Sequence, residues 1–281
     1  MTPEAAGDLS SGHRPRIGIS NLAWPPDQAA QALVLLQSLG VAGVEVAPTR
    51  IADWGDLKDP ILHAYRRSIE SAGLVICSLQ AILFGRPELQ LLSDDFSFSP
   101  MVEHLRRVGH IAQALGAGVA VFGAPHNRLR GSLPPREAED LAAERLRVLG
   151  EVAMAAGLTL GIEPIPAQYG ADFLLRAEDV RRVVAMVSHD GVGVHLDSAC
   201  VGLGGDDLAA EIATTGGGLK HYHVAEPNLG AFEAPWCGHA GAARALERQG
   251  YSGWKVIEMR EQPSALDAIR TAVAFAKDCY H

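Results

Sequence analysis

Cysteine is scarce in this 281-residue chain. There are four, Cys77, Cys200, Cys237 and Cys279, and no two form a CxxC pair. Their wide spacing argues against a disulfide framework and reads as free thiols in a reducing compartment. Positive charge is also short. Lys and Arg number 24 against 33 Asp and Glu, a formal net charge of −9. That balance argues against a broad nucleic-acid or anionic-membrane surface, so neither partner is expected. Long apolar runs are missing. Residues 1–14 are polar, include Glu4 and Asp8, and hold no apolar segment of signal-peptide or membrane-span length. The expectation is a cytoplasmic protein with a frayed tail over residues 1–15. No GxGxxG follows the first strand-like run, and no Walker-type glycine loop occurs, which argues against an open doubly wound nucleotide-binding sheet.

What is present is a globular composition, 48% hydrophobic and 20% charged, organised as alternating strand-like and helix-like segments. Short apolar runs begin near Ile17, Val44, Leu74, Val119, Leu158, Gly193, His221 and Lys255. Segments with apolar residues at helical spacing separate them, often opened by Pro or Asp and stopped by Gly. The spacing predicts helices over 28–39, 61–72, 101–115, 134–156, 177–187, 240–249 and 263–278, and a short one ending at 214 after an acidic glycine-rich turn. Residues 84–100 and 226–239 read as long connections, a length often used for functional lids. Eight β-then-α units imply parallel strands with right-handed crossovers. The fold predicted is a (β/α)8 TIM barrel forming one domain over 16–281, with its site at the C-terminal ends of the strands.

Four of those strand ends carry a metal-competent side chain. Leu158-Thr159-Leu160-Gly161-Ile162 leads to Glu163 and Pro164. Gly193-Val194-His195-Leu196 leads to Asp197. The other two are His223, within His221-Tyr222-His223-Val224, and Glu258, after Lys255-Val256-Ile257. The steps are 34 residues (163 to 197), 26 (197 to 223) and 35 (223 to 258), each one βα unit of roughly 30 residues. In a barrel these tips meet at one mouth. Three carboxylates there would repel and raise one another's pKa, and a divalent cation relieves the repulsion. Three carboxylates and an imidazole suit one Mn2+, Mg2+, Co2+ or Zn2+ ion. A lone acid at a strand end is more often a cap or salt-bridge partner; four at successive tips are harder to explain so.

These motifs resemble the xylose isomerase-like barrel superfamily, the sugar phosphate isomerases and epimerases. That group also contains ketose 3-epimerases, inosose dehydratases and the endonuclease IV type. The resemblance spans about residues 17–276. It rests on Gly161-Ile162-Glu163-Pro164, Val194-His195-Leu196-Asp197-Ser198, His221 through Pro227, and Gly250-Tyr251-Ser252-Gly253-Trp254 through Met259. Ser78 through Gly85 and Phe122-Gly123-Ala124-Pro125 fit as well. The resemblance implies that Glu163, Asp197, His223 and Glu258 bind one divalent metal, with Glu163 and Glu258 the acid–base pair. A metal on a ketose carbonyl and its neighbouring hydroxyl would acidify the α-C–H. One glutamate would take that proton to give an enediolate, and the other would return it. The chain departs from ketose 3-epimerases where they contact substrate: Cys200 stands in place of a histidine and Leu229 in place of an arginine. The function expected is a metal-dependent isomerase or epimerase of a small sugar-like substrate, in a chain that can form homo-oligomers as related barrels do. A dehydratase of the inosose or dehydroshikimate type and a non-catalytic carbohydrate-binding barrel are the alternatives. The endonuclease reading is poorer, because the full set of ligands for three zinc ions is not evident.

Other residues enter as candidates for substrate binding. His195 shares strand parity with Asp197 and should point the same way, as should His221 with His223. Glu45 and Gln80, at strand ends, could bind sugar hydroxyls. Arg128, Arg86 and Arg260 could bind an acidic or phosphorylated substrate, although an exposed arginine is the plainer reading. Glu226 and His239 border the long connection after the seventh strand and could support the site. Trp24, Phe84 and Trp236 could wall a sugar face or pack in the core.

Overall fold

The computed structural model of the chain describes residues 16–280; the tail expected over 1–15 lies outside them. Eight parallel strands close into a barrel in sequence order, with the first strand pairing both the second and the eighth. The chain runs β1 (Ile17–Ser20), α1 (Ala29–Ser38), β2 (Gly43–Val46), α2 (Asp59–Ser71), β3 (Val75–Leu79) and α3 (Asp95–Leu115). It continues through β4 (Val119–Phe122), α4 (Pro135–Ala155), β5 (Thr159–Ile162), α5 (Ala177–Val187) and β6 (Val192–Asp197). Two short helices follow, α6 (Ser198–Leu203) and α7 (Leu208–Thr215). Then come β7 (Leu219–Ala225), α8 (His239–Arg248), β8 (Lys255–Glu258) and α9 (Ala265–Cys279). Among the described residues no helix is long and apolar enough to cross a membrane.

The strands are short and almost wholly buried because helices cover the outside and side chains fill the inside. Outward-facing Leu196, Tyr222, Val224 and Ile257 are buried against the helical ring. The lower barrel interior is filled by Cys77, Val256 and the Trp254 ring. Gly43 makes room for that ring: a Cβ there would stand 2.7 Å from a Trp254 ring carbon.

Two helices differ from the expectation. Asp94 caps α3 by accepting from the Ser97 N–H at 2.9 Å, so the helix begins at Asp95 rather than near Met101. Pro100 is then inside it. Proline in the second turn forfeits one backbone hydrogen bond, and the cap and the buried face carry the helix past it. The expected 84–100 connection is shortened accordingly. The unanticipated α6 starts directly at the end of β6, where Asp197 Oδ1 accepts from the Cys200 N–H at 2.7 Å. One aspartate ends the strand and caps the helix.

Close packing of α4 on the start of β6 uses two glycines. A Cβ on Gly191 would land on the Gly150 carbonyl oxygen, a backbone atom that cannot swing aside. Gly191→Ala is therefore expected to destabilise the barrel by about 1–3 kcal/mol, the usual cost of overpacking. Urea unfolding checks this through a lowered midpoint with an unchanged slope.

Candidate active site

Barrel closure brings the four tips together. The pairing register places Asp197 beside His223 and His195 beside His221. Glu258 is level with Ala225, above His223. Glu163 follows Ile162, which pairs with Val194. The ligand atoms of Glu163, Asp197 and His223 lie within 4.8 Å of one another. His223 Nδ1 is 3.6 Å from Asp197 Oδ2 and 3.3 Å from Glu258 Oε2. Glu163, Asp197 and His223 are buried, and the Glu258 side chain keeps only 14% exposure.

Local contacts aim these groups. Asp197 spends Oδ1 on the α6 cap, which leaves Oδ2 buried and without a partner. Glu163 rises past the end of β5 against Gly123, where a Cβ would collide with Glu163 Oε2. The Cys200 thiol lies 3.5 Å from Glu163 Oε1. Beneath the mouth, Glu45 Oε2 accepts from Ser78 Oγ at 2.7 Å and His221 Nε2 at 2.8 Å, while Oε1 is 2.9 Å from His223 Nε2.

The charges follow from that geometry. Burial, reinforced by Asp197 and Glu258, pushes the Glu163 carboxyl up to about 8. Burial raises Glu258 as well, against the opposing pull of His223. For His223, burial favours the neutral ring, but Glu45 and Glu258 outweigh it and raise its pKa well above the usual range. His195 moves the other way: burial and the neighbouring imidazoles His223 and His221 hold it well below, so it is neutral.

A cation suits this site. Asp197 Oδ2 and His223 Nδ1 are buried without hydrogen-bond partners, and orphaned buried polar atoms are costly. A divalent ion would take both and offset the mutual repulsion of Glu163, Asp197 and Glu258. The oxygen-rich donor set with one imidazole matches Mn2+, Mg2+, Co2+ or Zn2+.

The other candidates divide. His195 lies in the cluster, its Nε2 3.9 Å from Glu163 Oε1, and neither ring nitrogen has a partner. Glu45 is fully buried with its oxygens on protein groups, so it does not face a sugar. Gln80 is also buried and donates to Ser20 Oγ. Arg128 is turned inward, 1% exposed, with Nη2 donating to the Glu163 carbonyl at 2.6 Å and Nη1 3.5 Å from the Phe122 carbonyl. Burial lowers its pKa to about 10. It braces the ends of β4 and β5 and is not placed for a phosphate. Arg260 is exposed after β8, where its N–H donates to the Leu229 carbonyl. Arg86 binds Glu88 and His104. Trp24 is buried in the core, whereas Phe84 and Trp236 are exposed.

Glu226 and His239 form a separate group with Cys237. His239 Nε2 donates to Glu226 Oε1 at 2.7 Å, and Nδ1 is 2.6 Å from the Tyr280 hydroxyl. The Trp236 and Cys237 N–H groups also donate to Glu226. Its donors and acceptors satisfy one another, and it pins the β7–α8 connection to the C-terminal helix. Sequence reasoning missed the Glu45–His221 pair and the room that Gly123 leaves for Glu163. Strand parity was the available signal for the first; nothing local marks the second.

A closed parallel barrel with an acid-rich mouth around one imidazole defines a class. The chain belongs to the xylose isomerase-like TIM barrel family, whose model matches residues 33–279. Among solved structures, it is similar to a D-psicose 3-epimerase from Clostridium cellulolyticum H10 determined with D-tagatose. That match has a TM-score of 0.80 at 17% identity, over 95% of this chain and 99% of the other. An L-ribulose 3-epimerase matches with a TM-score of 0.77 at 18% identity, over 95% of each chain. A 3-keto-D-glucoside 4-epimerase from E. coli also gives 0.77 at 18%, over 95% of this chain and 100% of the other. At these identities the likeness defines the shared fold. No curated protein matches in sequence.

Two outcomes are expected. Gly123→Ala should displace Glu163 and weaken Mn2+ binding by at least about tenfold, the lower end of the cost of disturbing a ligand's surroundings; equilibrium dialysis measures it. The second concerns pH. A carboxyl raised to about 8, as at Glu163, stabilises the metal-free fold below the ordinary glutamate range and loses that contribution as pH rises through 8. A cation must displace the same proton. The rise in melting temperature on adding Mn2+ should therefore be larger at pH 8 than at pH 6; an equal or smaller rise at pH 8 would contradict the assignment.

Proposed function

We propose that this chain is a divalent-metal-dependent isomerase or epimerase acting on a sugar or related polyhydroxy carbonyl compound. One observation carries the reading. Two glutamates from different strands, Glu163 and Glu258, converge with Asp197 on one buried imidazole, and both carboxyls have raised pKa values. Two carboxyls held at one centre can take a proton from a substrate carbon and return one. Glu163, Asp197, His223 and Glu258 would hold the ion, which would supply Lewis-acid polarisation of a substrate carbonyl when bound.

Glu163 and Glu258 are the acid–base pair. One takes the proton from the carbon beside the carbonyl, leaving an enediolate. The other delivers a proton to the opposite face of that carbon, or to the neighbouring atom. His195, neutral and with both nitrogens free of protein partners, contacts the substrate hydroxyls or carbonyl oxygen. The free thiols fit a reducing, cytoplasmic setting.

Cys200 bears on the substrate. Its thiol takes the place beside Glu163 where the resemblance to ketose 3-epimerases calls for a substrate-binding histidine, and Leu229 replaces an arginine. We infer a substrate other than a free ketohexose. The same substitutions keep a dehydratase as the second reading, because expulsion of a β-hydroxyl begins with the same proton abstraction.

Incubation in D2O with Mn2+ and a panel of ketoses, inososes and keto acids tests both readings. Deuterium at the carbon beside the carbonyl is expected for at least one compound, with mass otherwise conserved for an epimerase and reduced by water for a dehydratase. Glu163→Gln and Glu258→Gln should each reduce that exchange by about 100-fold or more, the scale of a lost general acid or base. Tight sugar binding without any exchange in the unsubstituted protein would point to a non-catalytic binding barrel instead.

A further inference from the structure

Glu45 is a fully buried carboxylate on β2, across the barrel from the imidazole it faces on β7. A buried charge needs close partners, and its two oxygens are used differently. Oε2 is fixed by Ser78 Oγ at 2.7 Å and His221 Nε2 at 2.8 Å. That fixes the carboxylate plane and leaves Oε1 2.9 Å from His223 Nε2, an ion-pair contact that lacks hydrogen-bond alignment in the metal-free chain, and neither atom has a hydrogen-bond partner elsewhere. The opposite nitrogen of the same ring, Nδ1, points into the acid cluster, 3.3 Å from Glu258 and 3.6 Å from Asp197.

We propose that Glu45 is a positioning residue for the metal centre: it holds the Nε2–H of His223, so that the Nδ1 lone pair faces the cation. This rests on the metal-dependent reading above. An ordinary buried ion pair would hold the ring equally still, but it would not need one nitrogen reserved and the other left open toward three carboxylates. A histidine that ligates through one nitrogen and donates from the other to a carboxylate has its tautomer and ring orientation set together. Ser78 and His221 act one step further out, by keeping Oε1 turned toward His223. Neither Glu45 nor Ser78 touches the substrate in this arrangement.

Glu45→Gln tests it. The amide keeps the size of the side chain but has only one acceptor oxygen, so it cannot receive both His221 and His223. The measurements are Zn2+ affinity of the metal-stripped full-length protein by competition with a chelator, and the His223 ring nitrogens by 15N–1H NMR of the Zn2+-loaded protein. Expected for the unsubstituted protein is Nδ1 ligation with a protected Nε2–H. Expected for Glu45→Gln is an affinity loss of about 10- to 100-fold and loss of Nε2–H protection, with the circular dichroism of a folded barrel. If that variant fails to fold, Ser78→Ala, which removes one donor to Glu45, should show a smaller loss in the same direction. Affinity within twofold of the unsubstituted protein in the folded variant, or His223 ligating through Nε2, would overturn the proposal and leave the metal-dependent reading standing. Failure of the unsubstituted protein to bind Zn2+ would overturn both.

Discussion

Like charge confined in a small buried space is the constraint on which this molecule turns. Glu163, Asp197 and Glu258 reach the same few ångströms at the barrel mouth, around His223. Burial and mutual repulsion favour protonated carboxyls, as the raised pKa of Glu163 and Glu258 shows. A protein gains no stability from such an arrangement. It makes physical sense as a receptor for positive charge, and Asp197 Oδ2 and His223 Nδ1, both buried without hydrogen-bond partners, are among the atoms a cation there would satisfy.

The scaffold can be understood as the means of holding this strained set. Barrel closure makes β5, β6, β7 and β8 neighbours in order, and register pairs Asp197 with His223. Arg128 braces the Glu163 carbonyl from within, Gly123 leaves its carboxylate room, and the α6 cap fixes one oxygen of Asp197. The Glu226–His239–Tyr280 chain pins the connection after β7 to the C-terminal helix. Each contact spends a protein hydrogen bond or a missing Cβ on orientation, as a site built on rigid strand ends requires.

The barrel was legible in the sequence because its signal is repetitive: eight apolar runs, each followed by a helical pattern, allow few topologies. The convergence of Glu163, Asp197, His223 and Glu258 was legible for the same reason, since residues at successive strand ends of a barrel must meet. Single-residue roles were not. Glu45 and Arg128 look like mouth residues by position, yet both turn inward toward partners that lie 35 to 178 residues away in sequence: His221 and His223 for one and the Glu163 carbonyl for the other. The start of α3 was misplaced because Pro100 reads as a boundary, whereas Asp94 supplies the actual cap. The short helix α6 escaped notice because its cap, Asp197, was already assigned to a strand end.

The central claim is that one divalent cation sits among these four side chains. Anomalous diffraction from crystals grown with Mn2+ tests it most directly. The account predicts a single strong peak bounded by Glu163, Asp197, His223 and Glu258, within bonding distance of Asp197 Oδ2 and His223 Nδ1. A protein that shows no peak there, or concentrates the ion instead at Glu226, Cys237 and His239, would contradict it.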